Sequence, residues 1–121
     1  MTAIIQVALG GAIGASARYL VGLGLTRLLG AGFPWATLAV NIAGSFAMGV
    51  LAVLLAPGGK FSPLLMSGLL GGFTTFSAFS LDAIALYERG QAGLAGFYVL
   101  SSVSLSILAL GAGMVLARGI S

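Results

Sequence analysis

Residues 71–80 read Gly71-Gly72-Phe73-Thr74-Thr75-Phe76-Ser77-Ala78-Phe79-Ser80, and they interrupt the third of four hydrophobic stretches in a chain of 121 residues. Paired glycines, hydroxyls and aromatics replace aliphatic residues halfway along a segment otherwise long enough to cross a bilayer. Lipid cannot satisfy freed N–H and C=O groups, so irregular backbone at that depth is tolerated only where protein buries it or a cavity is lined by it. The stretch therefore predicts a helix broken at mid-membrane and a site built around the break, a device that transporters use to face backbone ends towards an ion.

The composition agrees with membrane helices. Hydrophobic residues make up 60% of the chain and charged residues 6%, with a mean hydropathy of +1.18, against about 25% charged residues in a soluble domain. There is no cysteine and no histidine, which removes thiolate metal sites, disulfides and the near-neutral general base. Without these, and without a central pair of carboxylates, an enzyme is not expected.

Punctuation places the spans at about 3–25, 35–56, 63–86 and 94–117, in a single domain covering residues 1–121. Pro34 suits a helix start and Trp35 the headgroup belt. Residues 35–56 supply 22 residues, roughly 33 Å of helix and enough to cross. Pro57-Gly58-Gly59 closes that span, Pro63 opens the third, and Glu88-Arg89-Gly90 marks the last turn. Ala15-Ser16-Ala17 imitates a signal-peptidase site, but no Lys or Arg precedes it and Gly10, Gly11 and Gly14 dilute the apolar run, so the first span reads as a retained helix. Gly10 and Gly14 suit close helix packing.

The basic residues near the span ends divide evenly. With four spans, Lys60 and Arg118 share one side, and Arg27 and Arg89 the other. No positive-inside bias remains, which favours insertion in both orientations and hence an antiparallel, dual-topology homodimer. The alternative is a single orientation imposed by lipids or insertion route, with parallel copies packing together.

Polar residues within the spans align. Thr37, Asn41 and Ser45 fall at i, i+4 and i+8 of the second helix, and Tyr98, Ser102 and Ser106 repeat that spacing on the fourth until Leu110 ends the stripe. The third span adds Thr74, Thr75, Ser77 and Ser80, with Phe76 and Phe79 three residues apart. Hydroxyls in membrane helices often bond only the preceding turn or a neighbouring helix, and that reading is preferred for Ser101 and Ser104. The Asn41 amide needs partners lipid cannot give. Acidic groups, which mark proton relays and cation sites, are limited to Asp82 and Glu88. The lining on offer is hydroxyl and amide donors and aromatic rings with positive edges, while Arg18 is the one embedded cation. Such a lining suits a small anion that must enter easily and leave again. The competing view of Phe76 and Phe79 is that they only pack.

These residues resemble a known family. Gly71-Gly72-Phe73-Thr74-Thr75-Phe76-Ser77-Ala78-Phe79 is similar to the Gly-Gly-x-Thr-Thr-Phe-Ser-x-Phe signature of the Fluc/CrcB fluoride channels. Asn41-Ile42-Ala43-Gly44 resembles that family's second-helix motif, and Gly14-Ala15-Ser16-Ala17-Arg18 its first-helix pattern. The resemblance implies an all-α membrane protein of four transmembrane helices, working as an antiparallel homodimer with two pores that lets fluoride leave the cell passively. It implies a fluoride path of Asn41, Thr75, Phe76, Ser77, Phe79, Tyr98, Ser102 and Ser106, with Arg18, Thr37 and Ser80 at pore entrances or in structural polar contacts. Leu110 departs from the pattern where many members carry another hydroxyl. The resemblance further implies a structural sodium on the dimer axis, held by backbone carbonyls of Gly71 and Thr74. Independently of the family, a helix break repeated across a two-fold axis would gather carbonyl oxygens suited to a hard cation.

The expected partners are fluoride, the lipid of a prokaryotic inner membrane and a second copy of the chain, with no nucleic acid. Two other classes compete. A small dual-topology multidrug exporter would need an acid buried in the first helix, where Gln6 is the nearest polar group. An assembly protein glued by polar stripes would leave the break unexplained.

Overall fold

The computed structural model describes residues 2–55 and 59–120, and the Pro57-Gly58 part of the second turn lies outside them. The described residues are almost entirely helical. Helix α1 spans Ala3–Leu29 and α2 spans Trp35–Leu54. The third segment begins as a wide, π-wound stretch, Pro63–Leu70, and ends in one α turn, Gly71–Phe73. These two pieces are together called α3. Helix α4 covers Phe76–Glu88 and α5 covers Ala92–Ile120. Four helical segments, Ala3–Leu29, Trp35–Leu54, Pro63–Glu88 and Ala92–Ile120, are long and apolar enough to cross a membrane.

Helix ends follow local chemistry. The Thr2 hydroxyl accepts from the Ile5 amide at 3.4 Å to open α1, and Arg27 sits in its last turn, where a cation complements the helix dipole. Pro63 begins α3 without an amide to satisfy, and the next orphan, the Leu64 N–H, donates to Gln6 Oε1 at 3.2 Å. Gln6 is buried on α1, so an amide in an apolar helix has a structural task that its sequence neighbours do not announce. Nor does any residue pattern in 63–70 announce the π winding.

Packing pairs α1 with α3, and α2 with α5, while α4 lies against α5. The α1 contact is made by backbone. Gln6, Gly10 and Gly14 form its buried face, and a Cβ at Gly10 or Gly14 would strike the carbonyl oxygens of Leu64 or Leu69. The α2–α5 pair uses the same device once in each direction, with Gly49 against the Leu110 carbonyl and Gly113 against that of Phe46. Small residues at such seams let helix axes approach closely where apolar lipid offers no hydrophobic driving force between helices.

A compact apolar cluster of Leu38, Phe79, Leu86, Ala95 and Tyr98 holds α4 between α2 and α5. Phe33 packs on it, its ring edge-on to Tyr98 at 5.4 Å. Most other large apolar side chains are exposed, including Ile4, Leu20, Leu81, Leu100 and Ile107. That pattern belongs to a surface that meets lipid or another apolar chain.

Candidate functional site

Between Phe73 and Phe76 the backbone is extended: Thr74 has φ −91° and ψ 159°, and Thr75 has φ −154° and ψ 126°. No proline lies in residues 64–80 and, among the described residues, no non-glycine residue has positive φ, so local sterics do not force this interruption. Contacts from α2 hold it. The Thr75 N–H donates to Asn41 Oδ1 at 2.8 Å, and Asn41 Nδ2 donates to the Thr75 carbonyl at 3.0 Å. One side-chain amide thus occupies both backbone groups of a single residue, as a neighbouring strand would. One turn along α2, Gly44 leaves room for the Thr74 methyl and the Phe73 ring. Asn41 and Gly44 therefore act on consecutive residues of the break.

The freed backbone groups can be followed individually. The Thr75 hydroxyl accepts from the Ala78 amide at 3.1 Å and caps α4. The Thr74 hydroxyl turns back and donates to the Leu70 carbonyl at 3.0 Å, which the Thr74 N–H also reaches at 3.0 Å. Arg18 Nε donates to the Gly72 carbonyl at 3.1 Å. The amides four residues beyond Gly71 and Thr74, those of Thr75 and Ala78, are diverted to Asn41 and to the Thr75 hydroxyl. The Gly71 and Thr74 carbonyl oxygens, and that of Phe73, therefore lack the amide one turn on that a continuous helix would supply. Among the described residues no group of three His, Cys, Asp or Glu converges, so the oxygens available to a hard cation here are carbonyls and hydroxyls.

Beside the break lies a cavity of ≈ 260 Å³. Asn41 and Ser45 of α2, Thr74 and Thr75 of the break, Phe76 and Phe79 of α4, and Ser102 and Ser106 of α5 all reach its wall. Three helices and the break thus contribute to one space. The two phenylalanine rings stand 5.6 Å apart and inclined by 54°, but in unlike settings: Phe79 is 7% exposed and Phe76 77%.

Other expected residues lie elsewhere. Tyr98 is fully buried, and its hydroxyl donates to Asp82 Oδ2 at 3.2 Å rather than to the cavity. Its ring packs on Phe79 at 5.2 Å, so it backs a residue of the wall. Ser77 shares a hydrogen bond with the Thr75 hydroxyl at 3.3 Å, and Ser80 donates to the Phe76 carbonyl at 3.0 Å; neither lines the cavity. Arg18 and Thr37 border a second hollow of ≈ 390 Å³ with Arg27 and Thr75. Thr37 also meets Asp82 and Arg89 in a third. Ser101 donates to the carbonyl of Phe97 in the preceding turn, the local bond expected for it. Sequence reasoning misses Asp82 as the partner of Tyr98 and Gly44 as the seat of Thr74. A carboxylate one turn past Phe79 is the signal for the first.

The family profile described as "CrcB-like protein, Camphor Resistance (CrcB)" matches residues 5–114. The chain belongs to the CrcB family. Among its CrcB relatives, a protein of Cereibacter sphaeroides named "Fluoride-specific ion channel FluC" is 62% identical over 120 residues, covering 98% of this chain and 97% of the relative. A protein of the same name from a Ruegeria species is 57% identical, with 97% and 95% covered. Another from Agrobacterium fabrum is 52% identical, with 99% of each chain covered. With four helices of spanning length, the chain is a multi-pass membrane protein of an ion-channel family and not an enzyme.

Proposed function

We propose that this chain is a passive fluoride-selective channel of a prokaryotic inner membrane, working as an antiparallel, dual-topology homodimer with two pores. The observation that carries the reading is near-full-length identity to proteins named fluoride-specific channels, joined to a cavity where Asn41, Thr75, Phe76, Phe79, Ser102 and Ser106 meet. In this reading the four spans form one domain and the extended residues Thr74 and Thr75 lie at mid-membrane.

The chemistry follows from what lines the cavity. Fluoride is small and strongly hydrated, so a path must replace its water with donors. Asn41 has a second amide hydrogen beyond the one given to Thr75, and the serine hydroxyls rotate to donate. The amino end of α4 opens at the same place, where unpaired amides and the helix dipole favour an anion. Phenylalanine ring edges add weak positive potential without a full charge that would trap the ion. Phe76, exposed within one chain, is placed to serve a second copy. In the cell, hydrogen fluoride enters as a neutral acid and dissociates, and such a channel lets the stranded anion leave.

The reading includes a structural sodium on the dimer axis, held by the Gly71 and Thr74 carbonyls of both copies. The donor set fits: both oxygens have lost their helical amides, and Gly71 is exposed on the surface of the chain. Four carbonyls from two copies make an oxygen site for a hard cation, which would hold the two breaks together. The exporter alternative fails on Gln6, whose side chain caps α3 where an exchangeable acid would be needed.

The test is fluoride efflux from liposomes containing the purified protein, with chloride and a cationic drug as comparisons. Passive fluoride efflux without proton exchange is expected. Drug-driven proton flux, or no fluoride flux from intact dimer, overturns the reading.

A further inference from the structure

We propose that Asn41 is a positioning residue for the central cation: by holding the Thr75 amide, it keeps the Gly71 carbonyl from closing a helical hydrogen bond. This rests on the carbonyl-held sodium proposed above and adds to it a link between the wall of the anion cavity and the cation.

No residue of the break forbids a helix: the Thr75 hydroxyl caps α4 by taking the Ala78 amide, but it leaves the Thr75 amide untouched. Only two residues separate the α turn Gly71–Phe73 from α4, and their types do not forbid a helix. Threonine is a weak helix former rather than a breaker. If Thr74 and Thr75 took helical angles, the Thr75 N–H would point at the Gly71 carbonyl four residues back. In the structure that N–H meets Asn41 Oδ1 at 2.8 Å instead, while the return bond from Asn41 Nδ2 to the Thr75 carbonyl, at 3.0 Å, falls on the next peptide unit. Arg18 reinforces the arrangement by taking the Gly72 carbonyl but leaves the Thr75 amide untouched. Asn41 alone among these side chains competes with Gly71 for its donor. The residue that offers the anion an amide hydrogen therefore also decides whether a neighbouring oxygen can face a cation.

Two substitutions separate the roles. Asn41→Ala removes the acceptor and lets the Thr75 amide return to the Gly71 carbonyl. Asn41→Asp gives up the return bond to the Thr75 carbonyl but keeps an acceptor on that amide, and it puts a carboxylate in an anion path. The readout is the thermal unfolding midpoint of the purified dimer in detergent, titrated with NaCl against choline chloride, with fluoride efflux measured separately. The unsubstituted protein should be stabilised by sodium. In Asn41→Ala the sodium concentration giving half the effect should rise about tenfold or more, because a recaptured hydrogen bond in each copy competes with the ion. Asn41→Asp should lose flux yet keep the sodium response.

An unaltered sodium midpoint in Asn41→Ala overturns the proposal while leaving the cation site standing. Should the alanine variant fail to form dimer, Asn41→Asp decides: intact dimer without a sodium response overturns it equally. Absence of any sodium response in the unsubstituted protein refutes the cation reading itself, and this inference with it.

Discussion

Gly44→Ala is the smallest change that tests how the break is seated. A Cβ at Gly44 would overlap the Thr74 methyl, lie 3.3 Å from Cδ2 of the Phe73 ring and 3.7 Å from the Thr74 Cβ. Carbon atoms pack comfortably at about 3.5–4.0 Å, so Thr74 must withdraw by on the order of 1 Å. That movement pulls against the paired Asn41–Thr75 hydrogen bonds one residue away. Overpacking of this kind costs about 1–3 kcal/mol per copy, and flux should fall with it. Thr74→Ser removes only the offending methyl and keeps the hydroxyl that donates to Leu70. In its presence the new Cβ would meet the Cβ at position 74 at an ordinary 3.7 Å, leaving only the Phe73 edge to adjust. The double variant should therefore recover at least about 1 kcal/mol relative to the sum of the single changes. Thermal or denaturant unfolding of the purified protein gives the cycle, and fluoride efflux from liposomes gives the functional arm. If Gly44→Ala costs the same with Thr74→Ser present as without it, or costs nothing, Thr74 is not seated as argued.

Phe76→Ile and Phe79→Ile should both abolish fluoride efflux with the dimer intact, because an aliphatic side chain lacks the ring quadrupole; normal flux in both would leave Asn41 and the hydroxyls as the path. Their costs to the fold of one chain should differ, with about 1.5 kcal/mol at buried Phe79 and little at Phe76, which one chain leaves exposed. A tag at the C-terminus should be reachable from both membrane faces in a cell population, and two or three lysines added to one turn should bias it; labelling from a single face would refute dual insertion. Gly71→Val should weaken the dimer and its response to sodium more than Thr74→Ala does. A Cβ at Gly71 meets only the Met66 carbonyl, at 3.6 Å, so the chain alone offers no steric objection. Equal tolerance of both changes would argue against a second copy at that surface.

The four spanning helices are legible in the sequence because hydropathy over some twenty residues is an additive property that needs no knowledge of partners. The signature at 71–80 marks where ordinary helix stops, but not that only Thr74 and Thr75 are extended. Locally only the Thr75 cap of α4 is encoded; the clamp on the Thr75 amide is Asn41, 34 residues away. Helical spacing puts Asn41 and Ser45 on one face and Ser102 and Ser106 on another, yet it also adds Tyr98, whose long side chain carries its hydroxyl past that face to Asp82. Spacing locates a Cβ, and the longer the side chain, the less it says about the polar end. The π winding of Pro63–Leu70 and the cap from Gln6 depend on how α1 and α3 meet, which no pattern within either helix records.

The seam between α1 and α3 has a consequence for how this chain can vary. Where Gly10 and Gly14 face Leu64 and Leu69, the atoms across the gap are main chain. A larger residue at an ordinary helix interface can be answered by trimming its neighbour, as Thr74→Ser would answer Gly44→Ala. Here the neighbour has nothing to trim. Suppressors of Gly10→Ala or Gly14→Ala should therefore be absent from the facing positions, and any that arise must act by shifting a whole helix or by stabilising the chain elsewhere. Along that line the fold has no stepping stones between one glycine and its replacement.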